Sequence, residues 1–268
     1  MRSFTVLSKQ FIFMSDAGLP TLVLVCGPCR SGTTAFSHNF NIIGIESHMQ
    51  PLKSIRRLQA GLGDDVPIPD PILFRDSGHI LIKETLGANV PAELFDPVGI
   101  LLEAGYPADK IVVVGMVREP ESTYDSWQRL WNGSVNVEIF QGAYEQMQRI
   151  WDRCKAGGIR YLPYASEAIR VNDPVAVLQG VMRFLGLSFQ AEAMCDWDGR
   201  PLFADDKKLW PNMHFYDTPP PRFIAGVREW GGFRYRHTTR EGHEVPGVTR
   251  AIYERHRQGC EEALDLRI

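Results

Sequence analysis

Segment 27–34, with the sequence GPCRSGTT, has the residue types and spacing of a phosphate-binding loop. It follows an apolar, β-favouring run at 22–25 and precedes a helix-compatible stretch, which predicts strand, loop and helix in succession. Backbone N–H groups of such a loop converge on an anion, and the N-terminus of the next helix adds partial positive charge. The two glycines are spaced as in a Walker A motif, but Thr33 stands in place of the lysine and Arg30 is the nearest cation.

A second cation follows the most apolar run of the chain. The run at 111–117 ends in Arg118, and Ser126 lies in the helix predicted to follow. A Walker-type nucleotidase needs a carboxylate at the end of a neighbouring strand to hold magnesium. One anion-binding loop beside a second anion pocket describes a nucleotide with phosphates at both ends, and we expect no metal.

The apolar run at 79–85 turns polar where it ends, in Lys83, Glu84 and Thr85. Ligands of open parallel sheets lie outside the carboxyl ends of the strands. We therefore expect these side chains to face whatever segment 27–34 binds.

The elements that must position these residues alternate between strand and helix. Apolar runs predict strands at 22–25, 42–45, 79–85, 111–117 and 159–164, and amphipathic segments predict helices at 33–41, 53–62, 91–104, 121–131, 139–155, 175–185 and 248–264. This alternation predicts an α/β fold, a three-layer doubly wound parallel sheet with helices on both faces.

We expect one domain over residues 1–268, with an irregular C-terminal cap after residue 188. Long segments poor in regular patterning, 48–78 and 190–245, are predicted to be lids over an acceptor site. Residues 1–13 are predicted to be an extension without a structural role, since residues 14–16 resemble a second natural start.

Composition excludes several classes of partner. The 268 residues carry a net charge of −3, which gives no electrostatic footprint for nucleic acid. No apolar run approaches the roughly 18 residues that span a bilayer, so we expect no membrane partner. Five cysteines favour free thiols and a reducing, cytoplasmic setting. Cys26 and Cys29 also form a CxxC pair, a redox hypothesis that leaves the rest of segment 27–34 unexplained.

Taken together, these segments resemble, in order over about residues 21–240, the sulfotransferases that use 3′-phosphoadenosine 5′-phosphosulfate (PAPS). Segment 28–34 looks like the family's 5′-phosphosulfate loop, and 117–126 looks like its 3′-phosphate strand, loop and helix. Segment 160–187 is similar to a third family stretch, in which a tyrosine contacts adenine. Segment 231–234 is a weaker match to the family's C-terminal element.

The resemblance implies PAPS as co-substrate, 3′-phosphoadenosine 5′-phosphate (PAP) as product, and in-line transfer to a hydroxyl or amine of a small-molecule or carrier-borne acceptor. It implies cofactor contacts from Arg30, Ser31, Gly32, Thr33, Thr34, Arg118, Ser126, Tyr164, Arg228 and Arg234. It also implies that Arg30 and Lys83 stabilise charge on the bridging oxygen, with Glu84 as the base. His48 follows the strand predicted at 42–45, near the first helix, and is either the alternative base or a solvated loop histidine.

Two departures from the family pattern stand out. The Lys-x-His after the third strand is here Lys83-Glu84-Thr85, and the C-terminal Arg-Lys-Gly is missing, so Arg228 and Arg234 are assigned by position alone.

Alternatives remain open at this point. The loop also suits a P-loop kinase of a small molecule, with Arg30 replacing the Walker lysine, or a non-catalytic nucleotide-binding scaffold. Among single residues, Tyr164 also fits a core tyrosine, Glu84 an ion-pair partner of Lys83 or Arg118, and Thr33 a plain helix cap.

Overall fold

A central parallel sheet organises the chain in a computed structural model. The structure describes residues 11–13, 19–62, 72–74, 78–87, 90–197, 213–215, 231–235 and 241–268. The strands are β1 (Phe11–Phe13), β2 (Thr21–Pro28), β3 (Glu46–Met49), β4 (Ile72–Phe74), β5 (His79–Leu86), β6 (Ile111–Val117), β7 (Arg160–Ala165) and β8 (Met213–Phe215). Six of them form one sheet in the order β7-β6-β2-β5-β3-β8, with every described pairing parallel, and β1 and β4 form a separate parallel pair.

Helices surround this sheet. They are α1 (Thr33–Ile42), α2 (Pro51–Gln59), α3 (Pro97–Glu103), α4 (Pro120–Leu130), α5 (Val137–Ala156), α6 (Ala168–Val171), α7 (Pro174–Leu185), α8 (Ala191–Met194) and α9 (Gly247–Leu264). Successive strand residues point to opposite faces, and Val23 and Leu24 of β2 are both 0% exposed. Both faces of the sheet are therefore covered, which confirms the predicted three-layer α/β fold.

The strand order reverses direction next to β2. After β2 the chain continues to β3 and β5 on one side, and it then crosses to β6 and β7 on the other side. The segments that follow β2 and β6 consequently flank the crevice at the switch point, where open α/β sheets bind ligands.

Two predicted elements differ from the structure in more than the positions of their ends. The strand predicted at 42–45 is wrong: α1 extends to Ile42, the chain turns at Gly44 with φ 90°, and the strand starts only at Glu46. The helix predicted at 91–104 is divided into a single 3₁₀ turn at Pro91–Glu93 and α3. Proline at position 97 forces the preceding residue to be extended, so the helix restarts there.

The C-terminal part is described only in pieces. An isolated antiparallel bridge joins Asp196 to Gly232, and α9 packs against β7. Of the predicted lids, residues 48–49 belong to β3 and 51–59 form α2, whereas 63–71 and 198–212 lie outside the described residues. The same holds for residues 1–10. Among the helices that the structure describes, none is long and apolar enough to cross a bilayer.

Candidate anion-binding site

The loop after β2 has a backbone that needs glycine. A Cβ at Gly27 would lie 2.3 Å from the carbonyl oxygen of Met116 and 2.6 Å from Ser31 Oγ, so this close approach to β6 excludes any side chain. Arg30 and Gly32 both have left-handed backbones, with φ 71° and 87°. The chain thereby reverses tightly between β2 and α1.

Three neighbouring elements fix this loop by hydrogen bonds to its backbone. The amide of Cys29 donates to the carbonyl of Leu86 at 2.9 Å. The Trp127 indole Nε1 donates to the carbonyl of Cys29 at 2.7 Å, and Ser166 Oγ donates to that of Ser31 at 2.5 Å. The ends of β5, α4 and β7 thus hold the loop in place.

The two subsites predicted from the sequence meet at Arg30. Its Nε donates to Ser126 Oγ at 3.0 Å, and Arg118 Nη1 lies 3.5 Å from its carbonyl oxygen. Arg118 is 9% exposed, whereas Arg30 is exposed. The structure therefore brings Arg30, Arg118 and Ser126 together at the switch point of the sheet.

α1 begins directly after this loop, at Thr33. Its capping residue is Gly32, and in the part of the chain that the structure describes no side chain caps the helix. Thr33 is buried and Thr34 half-buried, and neither acts as the plain cap considered above. Ser31 Oγ is buried and makes no hydrogen bond among the described residues.

Lys83, predicted to face the loop, is buried near the end of β5. Burial is the main reason that its pKa falls to about 7, and the positive charges of Lys53 and Arg30 lower it further, against opposing contributions from Cys29 and Glu84. Its Nζ lies 3.5 Å from Gln50 Oε1. The charge of this amine is therefore sensitive to pH close to neutrality.

Glu84 of β5 lies beside the start of α2. Its carboxylate accepts the backbone N–H groups of Leu52 at 2.8 Å and Lys53 at 3.2 Å, which are the first amides of α2. Burial raises the pKa of Glu84 to about 8, although these two hydrogen bonds and the nearby lysines oppose the shift. Glu84 thus caps α2 from inside the sheet.

A polar cluster beside Lys83 was not anticipated from the sequence. Lys53 Nζ donates to Thr85 Oγ1 at 3.1 Å and lies 2.6 Å from Glu93 Oε2, and Thr85 Oγ1 donates to Gln50 Oε1. Pro51, a favoured first helical residue, is the feature that could have revealed it. It starts α2 two residues earlier than predicted and so turns Gln50 and Lys53 toward β5.

The remaining predicted residues are dispersed. His48 lies within β3, not in a loop after it, and its Nε2 is 3.4 Å from Glu46 Oε1. Tyr164 is 1% exposed and packs against Phe36 with ring centroids 5.1 Å apart, which favours the core interpretation over adenine contact. Arg234 is exposed, and Arg228 lies outside the described residues.

A further group not predicted from the sequence lies next to Arg118. Arg118 and Arg170 approach the ring of Tyr235, with Cζ-to-centroid distances of 5.8 and 5.7 Å. The hydroxyls of Tyr235 and Tyr253 each donate to the buried Glu167 at 3.2 Å. This carboxylate also interacts electrostatically with Arg118 and so opposes its positive charge.

The CxxC pair has the wrong environment for redox chemistry. Cys26 is completely buried, and burial raises the pKa of its thiol well above the ordinary value. Reactive cysteines have lowered pKa values and partial exposure. Cys26 is therefore a core residue of β2.

Comparison with known proteins gives a match among solved structures alone. No protein-family model matches the chain, and no curated protein matches it. Among solved structures, the sulfotransferase domain from the Synechococcus PCC 7002 olefin synthase is similar at 18% identity and a TM-score of 0.49, covering 91% of this chain and 97% of that domain. Within the described residues there is no group of three or more histidines, cysteines or acids arranged to hold a metal.

Proposed function

We propose that this protein is a sulfotransferase that moves the sulfuryl group of PAPS to a hydroxyl or amine acceptor and releases PAP. The observation that carries the proposal is that Arg118, which follows β6, donates from Nη1 to the backbone carbonyl of Arg30 in the loop after β2, at 3.5 Å, so that both arginines lie at the switch point of the sheet. Arg118 directly follows β6, where a phosphoryl-transfer enzyme of this kind would have a magnesium carboxylate. Two anionic ends of one nucleotide account for both cations.

The residues present fit PAPS in charge and hydrogen bonding. The uncapped N-terminus of α1 and the buried Ser31 Oγ offer donors for the 5′ end. Arg118 and Ser126 offer a guanidinium and a hydroxyl for the 3′-phosphate. When bound, PAPS supplies a sulfuryl group attached to a bisphosphate leaving group.

The chain's own contribution is positioning and electrostatics. Arg30 lies close enough to Lys83 to lower the pKa of its amine, and both residues would stabilise the negative charge that develops on the leaving oxygen. Glu84 and His48 are the proposed bases. With a pKa of about 8, Glu84 would act as a base only in its ionised form, whose fraction grows as the pH rises towards that value, and its hydrogen bonds to α2 would then have to lengthen.

The cellular setting and the acceptor belong to the same proposal. All five cysteines are free thiols, which supports a reducing, cytoplasmic location. We propose a small-molecule or carrier-borne acceptor.

Calorimetric titration with PAP and with Mg-ATP tests the proposal. We expect saturable binding of PAP without metal, weakened about tenfold or more by Arg118→Ala because a charged hydrogen bond is lost. Arg129→Ala is the matched control, since Arg129 pairs with Glu241 on the surface at 2.9 Å.

Other outcomes identify the alternatives. Binding of Mg-ATP without binding of PAP would indicate a small-molecule kinase. Binding of PAP with no transfer from labelled PAPS to any hydroxyl or amine in a broad panel would indicate a non-catalytic scaffold.

A further inference from the structure

Gln50 has a backbone conformation that an ordinary residue avoids. Its φ is 59°, in the left-handed region, immediately before the first residue of α2. Its amide donates to the carbonyl of Lys83 at 2.7 Å, which fixes it to the end of β5. Strained backbones of this kind persist where the surroundings determine them, and they concentrate at functional sites.

The orientation of the Gln50 side-chain amide follows from the chemistry of its neighbours. The Lys53 amine can only donate, so Thr85 Oγ1 must accept a hydrogen bond from it. The one hydroxyl hydrogen of Thr85 is then donated to Gln50 Oε1. Lys83 Nζ approaches the same oxygen at 3.5 Å. The oxygen of the amide is therefore the acceptor end, and the NH₂ group faces away from the cluster.

That NH₂ group is a donor without an acceptor among the described residues, on a side chain that is half-buried. Thr85, the hydrogen-bond partner of Gln50 Oε1, pairs with Gly27 in the register between β2 and β5, which places the cluster beside the start of the loop. An oriented donor beside two cations is suited to an oxygen that carries partial negative charge.

We infer that Gln50 binds a non-bridging sulfuryl oxygen of PAPS and so positions the group that is transferred. This inference rests on the proposed function and adds to it a residue outside the loop and the two strand ends. Thr85, Lys53 and Glu93 would act through Gln50, as the groups that hold its amide in one orientation.

The affinities for PAPS and for PAP, measured in parallel without an acceptor, test this inference. PAP lacks the sulfuryl group, so its affinity monitors the rest of the site. We expect Gln50→Gly to lower the affinity for PAPS about tenfold relative to the affinity for PAP, because one hydrogen bond to a charged group is lost. The variant should still fold, since glycine adopts φ 59° without strain and this gain opposes the loss of the acceptor of Thr85 Oγ1.

Gln59→Ala, at the exposed end of the same helix, is the control and should leave both affinities unchanged. If Gln50→Gly and Gln50→Glu both keep the wild-type ratio of PAPS to PAP affinity, the inference is overturned while the proposed function stands. If the wild-type protein binds neither nucleotide, both are overturned. A variant that lowers the melting temperature and weakens both nucleotides equally would assign Gln50 a structural role only.

Discussion

At the scale of single residues, Lys83 is a cation whose charge depends on pH in the neutral range. Its pKa, lowered by burial to about 7, means that the positive charge is lost as the pH rises through that value. We expect PAP binding to the wild-type protein to weaken between pH 6 and pH 8.5. Lys83→Arg should bind with a flatter pH dependence, because a guanidinium stays protonated throughout. Titration calorimetry at both pH values measures the change in PAP affinity. An identical change in the wild type and in Lys83→Arg would contradict the role given to Lys83.

The raised pKa of Glu84 predicts that this residue lowers the stability of the protein as the pH rises. Carboxylates with a lowered pKa have the opposite effect. Its pKa in the folded state, about 8, lies above the ordinary 4.5, so its contribution is present at acidic pH and is lost as the pH rises through 8. We expect the free energy of unfolding of the wild type to fall relative to that of Glu84→Gln between pH 5.5 and pH 8.5. Urea denaturation at these pH values measures it.

The exposed Glu262→Gln is the matched control for Glu84→Gln and should follow the wild type at both pH values. Lys83 contributes a pH dependence of the other sign. Because Glu84 raises the pKa of Lys83, that pKa falls further in Glu84→Gln, which enlarges the Lys83 contribution and widens the difference from the wild type in the expected direction. A constant difference between the wild type and Glu84→Gln would show that Glu84 ionises as an exposed carboxyl does.

At the scale of elements, the loop after β2 depends on the absence of a side chain at Gly27. A Cβ there would approach the Met116 carbonyl to 2.3 Å, and a backbone atom cannot move aside cheaply. We expect Gly27→Ala to lower the free energy of unfolding by about 1–3 kcal/mol and to abolish PAP binding. Gly247→Ala, where a Cβ meets nothing within 4 Å, should preserve both. Denaturation and calorimetry together check this, and a Gly27→Ala protein with wild-type affinity would refute it.

The roles of residues in the loop are easier to predict from the sequence than those at the end of β5. The loop is defined by neighbouring residues of the chain, whereas the contacts at the end of β5 come from a distant segment. Arg30 and Arg118 each follow a strand directly, so parallel topology alone brings them to the same edge. The role of Glu84 depends on where α2 begins, and placing that start at residue 53 instead of Pro51 hides both the cap and Gln50.

At the scale of the whole molecule, distant segments are joined through the buried Asp125 of α4. Its carboxylate accepts the amide of Glu241 at 2.8 Å and lies 2.7 Å from His243 Nδ1, contacts that span more than a hundred residues and that no local pattern predicts. We expect Asp125→Ala to lower the free energy of unfolding by about 1–3 kcal/mol, because the partners lose an acceptor inside the protein. Asp152→Ala, at an exposed pair with Arg255, is the control in urea denaturation and should have little effect.

Nearly equal decreases in the free energy of unfolding for Asp125→Ala and Asp152→Ala would mean that the attachment of the C-terminal segment to α4 does not stabilise the protein.

Trp127 of α4 is an intrinsic fluorophore that is hydrogen-bonded to the loop after β2, because its indole donates to the carbonyl of Cys29. Any shift of that carbonyl when an anion enters alters the electrostatic surroundings of the excited indole. Emission during a nucleotide titration should therefore change in the wild type and respond much less in Trp127→Phe. Trp151→Phe should retain the response, since that ring stacks on Tyr161 near α9. Occupancy of the site can thus be followed optically before any acceptor is known.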